Sequence, residues 1–153
     1  MIVVSDTSPI TTLIQIGKVD LLRRLYGEVL IPKAVRDELS ATHQSLPEFF
    51  CCVPAINHQA VSSLLEELDA GEAEAIVLAK EKHALLLIDE IEGRDIAARE
   101  GLRFIGLLGI LNQAKLKGLI ISVSEVLNEM ESKTTFYISQ EMKKVALKKA
   151  GEL

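Results

Sequence analysis

Acidic residues follow two apolar runs of the sequence and could hold divalent metal ions. Asp6 comes directly after the run at residues 2–5, and Asp89 comes directly after the run at residues 84–88. Short apolar runs of this kind are typical of buried strands. Ligands of an open parallel sheet bind outside the carboxyl ends of its strands. We therefore expect both carboxylates at the same edge of a sheet.

Two further acids, Glu38 and Glu72, lie on adjoining predicted helices. Four carboxylates in one cleft would repel each other and could not all stay ionised without a cation. Mg²⁺ and Mn²⁺ prefer oxygen ligands. Two such ions about 3.5–4 Å apart can activate water and stabilise the leaving oxygen of a phosphodiester. The candidate catalytic residues and metal ligands are therefore Asp6, Glu38, Glu72 and Asp89.

Each of these acids also has a purely structural interpretation. Asp6 could begin a turn, although Ser8 and Pro9 already predict the N-cap and first residue of the next helix. Glu38 could lie on a solvated helix face, because charged helix residues usually do.

Glu72 and Asp89 could instead belong to helix caps. Glu72 lies three residues after Asp69, and Glu92 lies three residues after Asp89, so both pairs match the spacing of a capping box. At this point neither interpretation excludes metal binding.

Contacts to a phosphate substrate are predicted at three other positions. Thr7 and Ser8 follow Asp6 directly, and Arg94 lies in the helix predicted after Asp89. An ion pair with a neighbouring acid is the alternative role of Arg94.

Other catalytic systems find little support. The three histidines do not occur in an H-E-x-x-H pattern, and the sequence has no G-x-S-x-G, Walker A or G-x-G-x-x-G motif. The only cysteines, Cys51 and Cys52, are adjacent and unsuited to an unstrained disulfide. They indicate a reducing compartment, which we take to be the cytoplasm.

The length of 153 residues fits one domain, with 123–153 as terminal helices. The net charge of −5 is unusual for a protein that binds nucleic acid. Bound cations would reverse the local field where a phosphate must sit. We expect no signal peptide, because residues 1–6 have no basic region and reach an acid early, and no apolar run is long enough to span a membrane.

The predicted elements alternate between strands and helices. This order predicts a three-layer α/β/α fold with a central parallel sheet. Residues 42–58 contain two prolines and are expected to form a loop or short helix. The predicted strands are 2–5, 29–31, 84–88 and 103–105.

Several segments together resemble PIN domains, in particular a subgroup first catalogued as a domain of unknown function, DUF3368. The resemblance covers roughly residues 1–125, and it depends on the order and spacing of motifs of which none is decisive alone. The segments that carry it are Ile2-Val3-Val4-Ser5-Asp6-Thr7-Ser8-Pro9, 31–39, 68–76, 86–90 and 106–120.

The resemblance implies a metal-dependent ribonuclease with its four acids at Asp6, Glu38, Glu72 and Asp89. The chain departs from the commoner PIN pattern at the last two, so Glu74 and Glu90 remain alternatives. It also implies RNA as substrate, Mg²⁺ or Mn²⁺ as cofactor, and the role of a toxin neutralised by a small antitoxin protein.

A homodimer is expected as well, because such toxins are often dimeric. The apolar residues of the predicted helix 107–116 also exceed what one small sheet needs to bury.

Two alternative functions remain open. The first is a phosphohydrolase of the haloacid-dehalogenase type with Asp6 as nucleophile, although Ser8 stands where the second Asp of that motif belongs. The second is a binding module that kept the fold and lost the metal. The intact acids argue mildly against this module.

Overall fold

A computed structural model describes residues 1–153 and contains a five-stranded sheet whose strands are all parallel. The strands are β1 (Val3–Ser5), β2 (Val29–Ile31), β3 (Phe50–Cys52), β4 (Leu85–Leu87) and β5 (Phe104–Ile105). The helices are α1 (Thr7–Gln15), α2 (Asp20–Tyr26), α3 (Lys33–Thr42), α4 (His58–Leu64), α5 (Ala70–Lys82), α6 (Ile91–Arg99), α7 (Leu107–Leu116), α8 (Val123–Lys133) and α9 (Gln140–Lys149).

The strand order β3-β2-β1-β4-β5 places a topological switch point between β1 and β4. The chain leaves β1 toward β2 on one side, and it leaves β4 toward β5 on the other. Val4 pairs with Leu86, and Ser5 pairs with Leu87. A crevice for ligands opens at such a point, outside the carboxyl ends of the two strands. Asp6 and Asp89 follow these two strands.

Alternating strand residues supply two separate cores, one on each face of the sheet. Val3, Leu85 and Leu87 pack with α1, α2, α3, α7 and α8. Val4 and Leu86 pack with α4, α5 and α6. The predicted three-layer α/β/α fold is therefore confirmed.

Residues 42–58 differ from the prediction, because they contain the edge strand β3. Phe50 and Cys51 are only half-buried, and Cys52 is exposed. An edge strand has one neighbour and needs no continuous apolar run. The prolines on both sides of β3 favoured the prediction of a loop.

Helix α7 contributes most of its apolar side chains to the core of its own chain. Leu107, Ile110 and Leu111 are fully buried, whereas Leu116 is 87% exposed. The apolar surplus from which we expected a homodimer is therefore largely used within the chain. None of the helices is long and apolar enough to cross a membrane.

The C-terminus is fixed to the start of α8 by Glu152. Its carboxylate accepts hydrogen bonds from the amides of Val123 (2.7 Å) and Ser124 (3.0 Å) and from the Ser122 hydroxyl (3.1 Å). The Lys115 ammonium donates at 2.8 Å. This ammonium, together with the amides and hydroxyl, lowers the pKa of Glu152 to about 2. The chain end thus supplies partners for helix amides that have none within α8.

We expect Glu152→Gln to lower the free energy of unfolding by about 2 kcal/mol, because hydrogen bonds to a charged group each contribute about 1.5–3 kcal/mol. Urea denaturation at pH 7 measures the loss. Since the folded pKa lies below its usual value of 4.5, this stabilisation is present above that pH and is lost as the pH falls toward 2. The control is Glu131→Gln, which breaks an exposed ion pair with Lys143. An equal loss in both variants would contradict the role of Glu152.

Candidate active site

Asp6 is both the continuation of β1 and the N-cap of α1. Its amide donates to the Leu87 carbonyl at 3.0 Å, and its backbone is extended, with φ −75° and ψ 173°. Its side chain caps nothing, although the residue is only 2% exposed. Ser8 was expected as the N-cap, but it is the second residue of the helix, which begins at Thr7. Pro9 is tolerated as the third residue because amides of the first turn need no intrahelical partner.

Burial raises the pKa of Asp6 to about 8. That value includes a decrease caused by the Thr7 amide and smaller increases caused by the negative charges of Glu72, Asp69 and Glu38. Asp6 therefore lies near enough to two other predicted ligands, Glu72 and Glu38, for their charges to affect its pKa. A cation beside these carboxylates would lower the pKa of Asp6 and stabilise its ionised form.

Glu38 reaches the same edge of the sheet from α3. The Thr7 hydroxyl donates to Glu38 Oε2 at 2.5 Å, so the side chain lies beside the first residue of α1. Glu38 is exposed to solvent, unlike Asp6. It is thus accessible to a ligand and anchored on one oxygen.

Glu72 divides its two carboxylate oxygens between two roles. The predicted capping box with Asp69 is confirmed, since the Glu72 amide donates to Asp69 Oδ1 at 2.9 Å and Glu72 Oε1 accepts from the Asp69 amide at 3.4 Å. Glu72 Oε2 is buried and has no hydrogen-bond partner. Burial, with the charges of Asp69 and Glu90, raises the pKa of Glu72 to about 7. The structural role therefore leaves one oxygen free.

The two oxygens of Asp89, after β4, also differ in their bonding. Its Oδ1 accepts from the Leu107 amide at 2.8 Å and thereby caps α7, whereas its Oδ2 is buried without a partner. The expected capping box with Glu92 does not form, because α6 is N-capped by Glu90 without a side-chain bond. Burial raises the pKa of Asp89 to about 6, although the Leu107 amide and Arg94 oppose the shift.

The two alternative acids occupy different surroundings. The charge of Glu90 raises the pKa of both Glu72 and Asp89, so Glu90 lies near both of these acids. Glu74 instead accepts a hydrogen bond from the Ala34 amide at 3.0 Å. Glu74 thus serves the start of α3, whose N-cap has no side-chain bond of its own.

The residues predicted to contact substrate lie around these acids. Thr7 is bonded to Glu38, and the Ser8 hydroxyl donates weakly to Glu90 Oε1 at 3.4 Å. The Arg94 guanidinium lies 5.3 Å from the centre of the Phe104 ring and forms no ion pair within 4 Å. Arg94 is thus a positive charge beside Asp89 that remains available to an anion.

The arrangement of the side chains suits a divalent ion that keeps most of its water ligands better than an ion that is coordinated by protein groups alone. No three acidic, histidine or cysteine side chains are close enough to hold one ion together. The free oxygens of Glu72 and Asp89 are nevertheless unsatisfied acceptors in an acidic cleft. Mg²⁺ commonly keeps several waters and uses one or two carboxylates. Pattern-based reasoning missed the contribution of Asp69, whose charge acts on Asp6 and Glu72.

Comparison with known proteins agrees with this architecture. A family model described as a PIN domain, DUF3368, matches residues 2–152. A search of curated proteins gave no match. PIN domains have a nuclease-type fold, and their members generally use divalent metal ions. Since the match spans nearly the whole length, the chain belongs to the PIN-domain family.

Proposed function

We propose that this protein is an endoribonuclease that depends on Mg²⁺ or Mn²⁺ and hydrolyses RNA phosphodiesters. The observation that carries the proposal is the pair of buried, unpartnered carboxylate oxygens, Glu72 Oε2 and Asp89 Oδ2. A buried acceptor without a partner is costly. A metal ion or its water ligands would remove that cost at both positions.

The residues that would hold metal are Asp6, Glu38, Glu72 and Asp89, with no more than two of them directly on one ion and the others acting through its water ligands. Bound metal would supply a water of lowered pKa and positive charge against the phosphate. Asp6 has its pKa raised to about 8, so it holds a proton at neutral pH until a cation displaces it. The helix caps to which Glu72 and Asp89 contribute fix one oxygen of each side chain and leave the other oxygen without a partner.

The remaining contacts would orient the substrate. Arg94 rests on Phe104 and has no acidic partner, so its guanidinium can donate to a phosphate oxygen. Thr7 and Ser8 lie beside Glu38 and Glu90 and could exchange those bonds for contacts with the RNA backbone. Membership of the PIN family also removes the main reason to consider a dehalogenase-type phosphohydrolase.

A toxin neutralised by a small antitoxin is the biological role that we propose, on the resemblance of the sequence to toxins of this kind. The same resemblance supports a homodimer, and the length of 153 residues supports a single domain over 1–153. The acidic site would need metal before it binds RNA. An antitoxin that covers this site would block the binding of RNA.

The proposal is tested by incubating purified protein with labelled single-stranded RNA and Mg²⁺, Mn²⁺ or excess chelator. We expect cleavage with either metal and none with chelator. Glu72→Gln, purified in parallel, keeps an oxygen for the capping box and should cleave at least about a hundredfold more slowly, since several kcal/mol of metal stabilisation is affected. Cleavage that persists in chelator, or equally in Glu72→Gln, would show that this site is not responsible.

A further inference from the structure

Three glycines lie directly against carboxylates of the candidate site. A methyl group at Gly71 would lie 2.7 Å from Glu38 Oε1 and 3.0 Å from Oε2. One at Gly93 would lie 3.0 Å from Glu72 Oε2.

The third glycine, Gly106, shows the same relation. A methyl group there would lie 2.7 Å from Asp89 Oδ1 and 3.3 Å from the guanidinium of Arg94. None of the three glycines has the positive φ that requires glycine. Backbone conformation therefore does not explain why these positions lack a side chain.

We propose that Gly71, Gly93 and Gly106 are positioning residues, each of which leaves the space that one carboxylate of the site occupies. The inference deepens the proposed function, because the carboxylates matter most if they hold metal. Glycine here permits an acid from one element to approach the backbone of another: Glu38 of α3 approaches α5, Glu72 of α5 approaches α6, and Asp89, in the loop after β4, approaches the start of α7.

Of the three glycines, Gly71 is the one whose substitution best distinguishes an effect on carboxylate position from an effect on protein stability. The three nearest atoms that a methyl group would meet there all belong to the exposed side chain of Glu38. Glu38 can move aside at little cost, and alanine has a higher helix propensity than glycine. The substitution should therefore leave the fold intact and displace the carboxylate from Thr7.

Gly93 and Gly106 combine the same role with packing. A methyl group at Gly93 would also lie 2.5 Å from Ile88 Cδ1, inside the core. At Gly106 it would disturb the bond from the Leu107 amide to Asp89 that caps α7. Substitutions at these two positions should lower stability as well as displace an acid.

The test compares Gly71→Ala with wild type and with Gly109→Ala. In Gly109→Ala the methyl group would meet only the Ile105 side chain, at 2.5 Å. We expect Gly71→Ala to unfold at the wild-type temperature and to shift the carboxyl carbon-13 resonance of Glu38 in metal-free protein. Its RNA cleavage should fall about a hundredfold, as misplacement by about 1 Å can do. Gly109→Ala should lower the melting temperature and leave that resonance unchanged.

Shortening the acid provides a rescue. Glu38→Asp withdraws the carboxylate by one methylene, so it should cost less cleavage activity in Gly71→Ala than in wild type, a non-additivity expected only of residues in contact. An unchanged Glu38 resonance in Gly71→Ala would overturn the inference, whether or not the protein cleaves RNA. Wild-type protein that neither cleaves RNA nor responds to Mn²⁺ would instead overturn the proposed function.

Discussion

Asp6→Asn is expected to lower metal-dependent RNA cleavage about a thousandfold and to leave the fold intact. A metal ion contributes several kcal/mol of transition-state stabilisation, and about 1.4 kcal/mol corresponds to a tenfold change in rate. Asparagine has the shape of the protonated Asp6, and the side chain that it replaces caps no helix. Single-turnover cleavage with Mn²⁺ measures the rate, and circular dichroism measures the fold.

The matched control for this variant is Asp37→Asn. Asp37 lies beside Glu38 on α3, but its side chain is 58% exposed and paired with Arg36. We expect this variant to cleave RNA at the wild-type rate, because an exposed ion pair contributes little. If Asp6→Asn also retains the wild-type rate, Asp6 does not hold the metal and the mechanism is wrong.

The sequence alone predicted four of the five strands, and the signal is strongest for β1 and β4, whose residues are all buried. Leu85, Leu86 and Leu87 contribute to both cores, and such strands read as continuous apolar segments. β3 contains two cysteines, one of them exposed, and it pairs with β2 alone. Its position depends on a neighbour about twenty residues earlier, which a local pattern does not contain.

Contacts between segments that are distant in sequence also limited the prediction of the site. Topology placed Asp6 and Asp89 at one edge of the sheet, since both follow strands at the switch point. The partner of Asp89, however, is an amide eighteen residues later, at the start of α7. A search for caps at three-residue spacing found the box of Asp69 and Glu72, but it could not find a cap that joins distant segments.

Several acids outside the site serve in such distant caps. Glu74 accepts from Ala34 at the start of α3, and Glu152 accepts from Val123 at the start of α8. Glu81 accepts from the amides of Ile56 and Asn57 just before α4. Part of the negative charge of this protein therefore stabilises the N-terminal ends of helices, where negative groups are favourable, and is not available for metal binding.

The acids of the site should make metal-free protein less stable as the pH rises. The folded pKa values of Asp6, Glu72 and Asp89, about 8, 7 and 6, all lie above their ordinary values of 3.8, 4.5 and 3.8. Between those limits the folded state binds more protons than the unfolded state. The stabilisation is therefore complete below about pH 4 and is lost as the pH rises toward 8. Glu152 does not interfere, because it titrates near pH 2.

We expect the melting temperature in chelator to fall by at least about 5–10 °C between pH 5 and pH 9, the amount that corresponds to roughly two pKa units of the combined shift. One pKa unit corresponds to about 1.4 kcal/mol, and 1 kcal/mol shifts the melting temperature of a domain of this size by about 2–4 °C. Saturating Mn²⁺ should reverse the trend and stabilise most at pH 8, because protons compete with metal for the same oxygens. Asp6→Asn should flatten the profile in chelator, whereas Asp37→Asn should reproduce the wild-type slope. A metal-free melting temperature that is constant or rises over this range would mean that these acids are not held apart from solvent as described.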